Sequence, residues 1–264
     1  KEAFGDGDAD IALFYRHCWR PEDLSVLVED GNLIAMSAAL PQTLALPDGA
    51  AAKGYYIYAV CTAAAARGKG CGQRLLRYQE EVLRGRGADF ASLVPARPDL
   101  HCFFAQVGYV PYFYTWRLRV EGIQAGAPAP GGIFTAAEPE EYGHIREERL
   151  AGLPAAGYPV EQLRFQQGMC RLSGGDLYRL WVNGVEGCAA VEWTDSGRVV
   201  VKELLIPPAG MAGALSLLAA QLPASSYEIR APIPLAGLPG GETWPFGMIR
   251  WYSRALQEQW GRNG

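Results

Sequence analysis

The run Tyr55-Tyr56-Ile57-Tyr58-Ala59-Val60-Cys61-Thr62, the turn Arg67-Gly68-Lys69-Gly70-Cys71-Gly72 and the stretch from Gln73 to Arg86 decide the fold of this chain. The first reads as a strand, rich in aromatic and β-branched residues. The third reads as a helix. Between them, three glycines alternate with other residues where strand hands over to helix. Glycine has no Cβ, so the backbone can turn tightly and bring its N–H groups close to a ligand. A helix N-terminus adds unpaired N–H groups and partial positive charge. Together they predict a phosphate cradle.

Two common phosphate loops are excluded by spacing. The P-loop needs Gly-Lys followed by Ser or Thr, and Lys69 is followed by Gly70. The dinucleotide fingerprint needs Gly-x-Gly-x-x-Gly; from Gly68 its last position falls on Gln73, from Gly70 on Leu75. Asp89 stands near where a ribose-binding acid would, but the third glycine is missing.

The pattern that fits is Arg-x-x-Gly-x-Gly at Arg67, Gly70 and Gly72. Around it come a short apolar strand, Asp89 to Ala96, a helix, Pro98 to Val107, carrying Phe103-Phe104, and a Gly108-Tyr109 step. On these residues the chain resembles the GNAT superfamily of N-acetyltransferases. The resemblance implies an acyl-CoA N-acyltransferase fold with acetyl-CoA as co-substrate. The loop Arg67, Gly68, Lys69, Gly70, Cys71 and Gly72 would hold its pyrophosphate, and the backbone of Val60, Cys61 and Thr62 its pantetheine arm. Many members protonate the leaving thiolate with a tyrosine on the last core helix, where this chain has Phe104. His101 and Tyr109 are the nearest alternatives, release to water a third, and binding without transfer a fourth. For the base, Tyr56 and Tyr58 share one strand face by alternation, as core aromatics or as functional groups. Two-domain relatives use a terminal carboxylate, which would be Gly264. An acetylated Cys71 would need a positioned base that the sequence does not show.

Composition narrows the class. Of 264 residues, 49% are hydrophobic and 20% charged, the balance of a globular protein. A net charge of −4 argues against nucleic acid as a partner. No apolar run reaches the length of a membrane span. The six cysteines form no Cys-x-x-Cys pair and read as reduced thiols of a cytoplasmic protein, with Cys61 and Cys102 packed as small hydrophobes. The three histidines show no metal-ligand spacing, so no metal is expected. Oligomeric state is left open.

Along the chain the reading is helix, antiparallel strands, then strand, helix, strand, helix, strand: a mixed α/β sheet. Asp30-Gly31 and Asn183-Gly184 are hairpin turns. The resembled fold starts with one more strand and helix, absent here or upstream of Lys1. Residues 121–132, rich in Gly, Pro and Ala, read as a linker. After it the element order repeats, ending with a strand at Tyr227 to Pro232. The expected division is a first GNAT domain at 1–120 and a degenerate copy at 133–264, as in bacterial tandem acetyltransferases related to the enhanced intracellular survival proteins. The second copy has Pro207-Pro208-Ala209-Gly210-Met211-Ala212-Gly213 where the cradle would be, and proline removes N–H donors. The expected function is transfer of acetyl from acetyl-CoA to a primary amine of a small molecule or peptide. The alternatives are an acyl-CoA-binding sensor and, behind it, a nucleotide-binding α/β domain.

Overall fold

A computed structural model describes residues 5–122 and 131–261. In chain order the helices are α1 (Asp8–His17), α2 (Cys71–Gly85), α3 (Leu100–Ala105), α4 (Pro139–Leu150), α5 (Val160–Leu172), α6 (Pro208–Gln221) and α7 (Arg254–Trp260). The strands are β1 (Leu24–Glu29), β2 (Asn32–Ala45), β3 (Ala51–Thr62), β4 (Phe90–Leu93), β5 (Val110–Glu121) and β6 (Ile133–Ala136). They continue with β7 (Ala155–Gly157), β8 (Asp176–Val182), β9 (Val185–Trp193), β10 (Val199–Leu205), β11 (Ser226–Pro232) and β12 (Glu242–Trp251).

The chain folds as two compact units. The first takes the described parts of 1–113, 152–159 and 245–264; the second takes 114–151 and 160–244. This differs from the expected division in three places. β5 joins the second unit from Tyr114 onward, the segment 152–159 joins the first, and so does β12 from Pro245 onward. The reason is backbone pairing. β12 runs antiparallel to β4, from Met248↔Leu93 to Trp251↔Phe90, and satisfies an edge of β4 that would otherwise be buried without partners. β7 likewise adds to β2 at Thr43, Leu44 and Ala45. Most of the expected linker, 123–130, lies outside the described residues; Glu121 still belongs to β5.

In the first unit the strand order is β1-β2-β3-β4-β12, antiparallel except for β3 beside β4. One sheet face carries α2 and α3. Leu76 and Leu83 from α2 and Phe104 and Val107 from the α3 side close over Ala39, Tyr55, Ile57, Ala91, Leu93 and Met248. The opposite face gathers Leu44, Ala52, Phe90, Tyr112, Ile249 and Trp251. Met248 goes to one core, Ile249 and Trp251 to the other, as strand alternation requires. The β1–β2 turn has positive φ at both Asp30 and Gly31, the hairpin geometry expected of that dipeptide, and Asn183-Gly184 repeats it.

In the second unit the order is β5-β11-β10-β9-β8-β6, with only β10 and β11 parallel. Its core is more completely buried: Leu180, Val191, Val201, Leu204, Ile206, Met211, Leu218 and Ile229 are all fully buried. β9 passes so close to β10 that a Cβ on Gly187 would stand 2.5 Å from the Leu205 carbonyl oxygen and 2.8 Å from Ile206 Cβ. Gly187→Ala is therefore expected to cost about 2 kcal/mol, since backbone cannot move aside as a flexible side chain can. A shift of the urea midpoint toward lower concentration at unchanged slope checks it.

Candidate functional site

β3 and β4 pair only at Gly54↔Phe90, Tyr55↔Ala91 and Tyr56↔Ser92. β4 then ends at Leu93, while β3 continues to Thr62, held on its other side by β2. The strands form a fork. From Ile57 onward, the β3 edge on that side has no strand partner among the described residues. Within this stretch the β2 register jumps from Ala38↔Tyr58 to Met36↔Cys61, and Ala59 adopts φ 52. Ala59 and Val60 thus share one place opposite Ser37, a bulge that redirects the edge amides of Val60, Cys61 and Thr62.

The glycine turn follows at the end of the fork. Arg67 Nε donates to the Thr62 carbonyl at 3.2 Å, tying the turn to the strand end. Gly68 and Gly70 have φ 76 and 75, and nothing lies within 4 Å of where their Cβ atoms would stand. Arg74 N–H is the first amide of α2 to reach a carbonyl, that of Gly70 at 3.0 Å. The N–H groups of residues 68–73 have no backbone acceptor among the described residues, as the start of a helix dictates. Gly72 is close-packed instead: its Cβ would meet the Phe103 ring and Thr62 Oγ1 at 3.3 Å. Gln73 Nε2 donates to Gln106 Oε1 at 2.6 Å, so the first turn of α2 is braced by the α3 side. Lys69 is exposed; Cys71, the first residue of α2, is a buried free thiol.

This turn suits a pyrophosphate group. It offers unpaired amides, a positive helix end, two left-handed glycines and open space above them. The corresponding glycines of the second unit are not open to solvent in the same way. β10 and β11 also part after Val201↔Ile229, beside a bulge at Val201/Glu203. There, however, a Cβ on Gly210 would stand 2.7 Å from Val185 Cγ2 and 2.8 Å from Ile206 Cδ1, and one on Gly213 would strike Val182. These glycines serve close packing of α6 on the sheet.

Of the catalytic candidates, Tyr58 lies nearest the fork, on β3. Its ring stacks on Phe14 of α1 with centroids 5.4 Å apart. Burial above all, with Asp6 and Asp10 adding to it, pushes the Tyr58 phenol up to about 12. It is a protonated phenol throughout the neutral range, so it can donate a proton but not serve as base. Burial also raises Tyr56, while the Val94 N–H just beyond the last β3–β4 pair acts in the other direction.

His101 Nδ1 lies 3.2 Å from the Pro98 carbonyl. A carbonyl only accepts, so Nδ1 is the donor in this contact; Nε2 is buried with no hydrogen-bond partner among the described residues. Phe104 is core, against Phe103 and Tyr109. Tyr109 is buried near Glu80, Arg250 and Tyr252. Glu80 is nine residues along α2 from Cys71, about 13 Å from the glycine turn by helix rise, so Tyr109 is not brought to it. Gly264 lies outside the described residues. Cys102 is exposed on α3 and is not packed as expected, because a six-residue helix buries only one side; Cys61 is half-buried. Tyr158, from the distant segment 152–159, acts electrostatically on Tyr56 and was not singled out from sequence.

The raised phenols have a measurable consequence. Tyr58 and Tyr252 are held at about 12, and Tyr56, Tyr109 and Tyr142 are also raised. Below about pH 10, the unfolded value, both states hold these protons and the contribution is intact. Between about pH 10 and 12 the unfolded chain releases protons that the folded one keeps, so stability falls as pH rises. Absorbance at 295 nm should show phenols ionising late and together with unfolding.

Among the described residues no cluster of His, Cys, Asp or Glu could hold a metal, and no helix is long and apolar enough to cross a membrane. Residues 1–112 match the family model described as an acetyltransferase (GNAT) domain. Solved structures share the fold across most of the chain. A GCN5-related N-acetyltransferase from Kribbella flavida superposes with TM-score 0.63 at 16% identity, covering 86% of this chain and 60% of its own. Eis1 from Mycobacterium abscessus gives 0.62 at 16%, covering 92% and 70%. A GCN5-related N-acetyltransferase from Anabaena variabilis gives 0.64 at 14%, covering 95% and 68%. This chain thus spans less than two thirds of the first structure's length. No curated protein sequence matches it significantly. The fold is the acyl-CoA N-acyltransferase fold, and the domain match supports acyl transfer in general.

Proposed function

We infer that the GNAT domain over residues 1–112 binds acetyl-CoA at the glycine turn and passes its acetyl group to a primary amine. The observation that carries this is the row of unpaired amides at 68–73 around two open, left-handed glycines, set where β3 leaves β4. In this reading the amides of residues 68–72 hold the pyrophosphate, with Arg67 and Lys69 as charge partners. The bare edge of β3 takes the pantetheine arm as an added strand, and an amide at the bulge steadies the thioester oxygen. The bound co-substrate supplies the thioester: the amine nitrogen attacks its carbonyl carbon, the C–S bond breaks, an amide forms, and the thiolate takes up a proton. Phe104 has no proton to give. The candidate groups for proton transfer are the Tyr58 and Tyr56 phenols, which burial keeps protonated, and His101. In this reading the second unit, whose Gly210 and Gly213 pack against the sheet and whose turn carries Pro207 and Pro208, takes no cofactor.

The test is calorimetric titration with acetyl-CoA, followed by thiol release on adding amines. Micromolar binding with amine-dependent release is expected. Binding with no release from any amine across a broad panel leaves the acyl-CoA-binding alternative; no binding by folded protein overturns the cofactor assignment.

A further inference from the structure

Of the buried residues of α2, only Gln79 carries an amide side chain. Leu76 and Leu83 face the sheet and join its core, and Gln79 lies between them at helical spacing, 2% exposed. Its partner is as unusual. Ser37 is 0% exposed and stands on β2 between Ala35 and Ala39, which alternation puts on the same face and which are also buried. Ser37 Oγ donates to Gln79 Oε1 at 3.0 Å. Gln79 Nε2 is buried with no hydrogen-bond partner among the described residues. A buried donor without an acceptor is destabilising, and an apolar pair would fill the same two places without that cost. Core packing alone therefore does not account for these residues.

The place of Ser37 in the sheet does. It stands opposite the bulge, where β3 spends two residues, Ala59 and Val60, on one β2 position. Ala59 is held there at φ 52, a left-handed backbone that disfavours residues with a Cβ. Such a conformation persists only where its surroundings impose it. The β2–β3 ladder is a poor source of that constraint, because a bulge interrupts the ladder. The Ser37–Gln79 hydrogen bond acts from outside the ladder and fixes β2, at the bulge, against the middle of α2. α2 begins at the glycine turn, with Cys71 about 12 Å from Gln79 by helix rise. One side-chain pair thus joins the helix that carries the turn to the strand position that faces the bulge.

Resting on the acetyl-CoA reading above, we propose that Ser37 and Gln79 are positioning residues: they hold the β3 bulge, and with it the amides of Val60, Cys61 and Thr62, at a fixed distance from the glycine turn. The two grips on the cofactor, pyrophosphate at the turn and acyl-pantetheine at the β3 edge, are then spaced by a buried pair that is not itself part of either.

The test compares wild type with Ser37→Ala, Gln79→Met and the double variant. Each single change leaves the other polar side chain buried without its partner and should lower the unfolding midpoint. The double variant removes both polar groups and should unfold at or above the wild-type temperature; Ser37→Ala with Gln79→Leu repeats the comparison with a second apolar filler. The affinity of the double variant for acetyl-CoA, by calorimetry, should nevertheless fall at least tenfold. Hydrogen exchange at residues 59–61 should quicken at least tenfold, while residues 52–57 stay as protected as in wild type. A pair that served packing alone would give double variants with wild-type affinity and wild-type exchange, and that result overturns the proposal. Wild type that fails to bind acetyl-CoA removes the cofactor reading; exchange at 59–61 then decides by itself whether the pair holds the bulge, so the two failures are told apart.

Discussion

Gly70→Asp is expected to abolish measurable acetyl-CoA binding while the protein stays folded. Three effects act together. Gly70 sits at φ 75 as the residue before α2. A side chain there costs about 1–2 kcal/mol of backbone strain, which the turn relieves by rotating its amides away from the ligand. The new carboxylate also enters the open space above the turn, where nothing now lies within 4 Å. It thus occupies the anion's place with the anion's charge, and competes for the amides of 71–73 as a helix cap would. Together these should weaken binding at least about 100-fold, or roughly 2.7 kcal/mol. Folding should change little, because the glycine is exposed and its Cβ direction is empty. Gly70→Ala keeps the strain without the charge and should fall between. Calorimetry gives the affinities and circular dichroism the fold; an unchanged dissociation constant for Gly70→Asp would remove the turn from the site.

Glu203→Ala is expected to produce the largest loss of stability, confined to the second unit. Glu203 follows the β10 bulge and accepts from three donors: Tyr142 Oη at 2.7 Å, Arg146 Nε at 2.8 Å and Arg146 Nη2 at 3.1 Å. Arg146 is 8% exposed and Tyr142 2%. Removing the carboxylate takes away a buried guanidinium's counter-charge and two of its hydrogen bonds, a change that costs about 3–5 kcal/mol. For a unit of this size that is a melting-temperature drop on the order of 10 °C. The counterpart is the double variant Glu203→Leu with Arg146→Met, which removes both charges and should recover most of the loss, because an apolar pair of similar volume is often no worse than a buried ion pair. Thermal unfolding of the singles and the double isolates the coupling.

Local backbone structure was legible in the sequence and long-range pairing was not. The glycine turn, β3, α2 and both hairpins came from patterns within a dozen residues, where spacing and backbone preference suffice. β7 and β12 went unread. β7 has three residues, and β12 carries Pro245 and Gly247 inside its run, which interrupts the alternation a strand is known by. What makes β12 a strand is the open edge of β4, far away in the chain. The same limit hid what meets the Tyr56–Tyr58 face of β3. Tyr56 and Tyr58 were visible as one face, but Phe14 and Tyr158 reach it from other segments. Tyr109 stood next to the right helix in sequence, yet the Gly108 turn leads it into the core beside Tyr252.

The pairing of β12 with β4 also sets an order in time. A ribosome delivers β4 long before β12; at about 5–20 residues per second the interval is on the order of 10 s. Until then the sheet carrying the glycine turn has an open edge, while the second unit already has every segment it needs by residue 244. The part made first closes last. A chain that stops short would display the turn on an unfinished sheet, with a bare strand edge of the kind that invites aggregation. Completion of the first unit therefore reports that synthesis has passed β12.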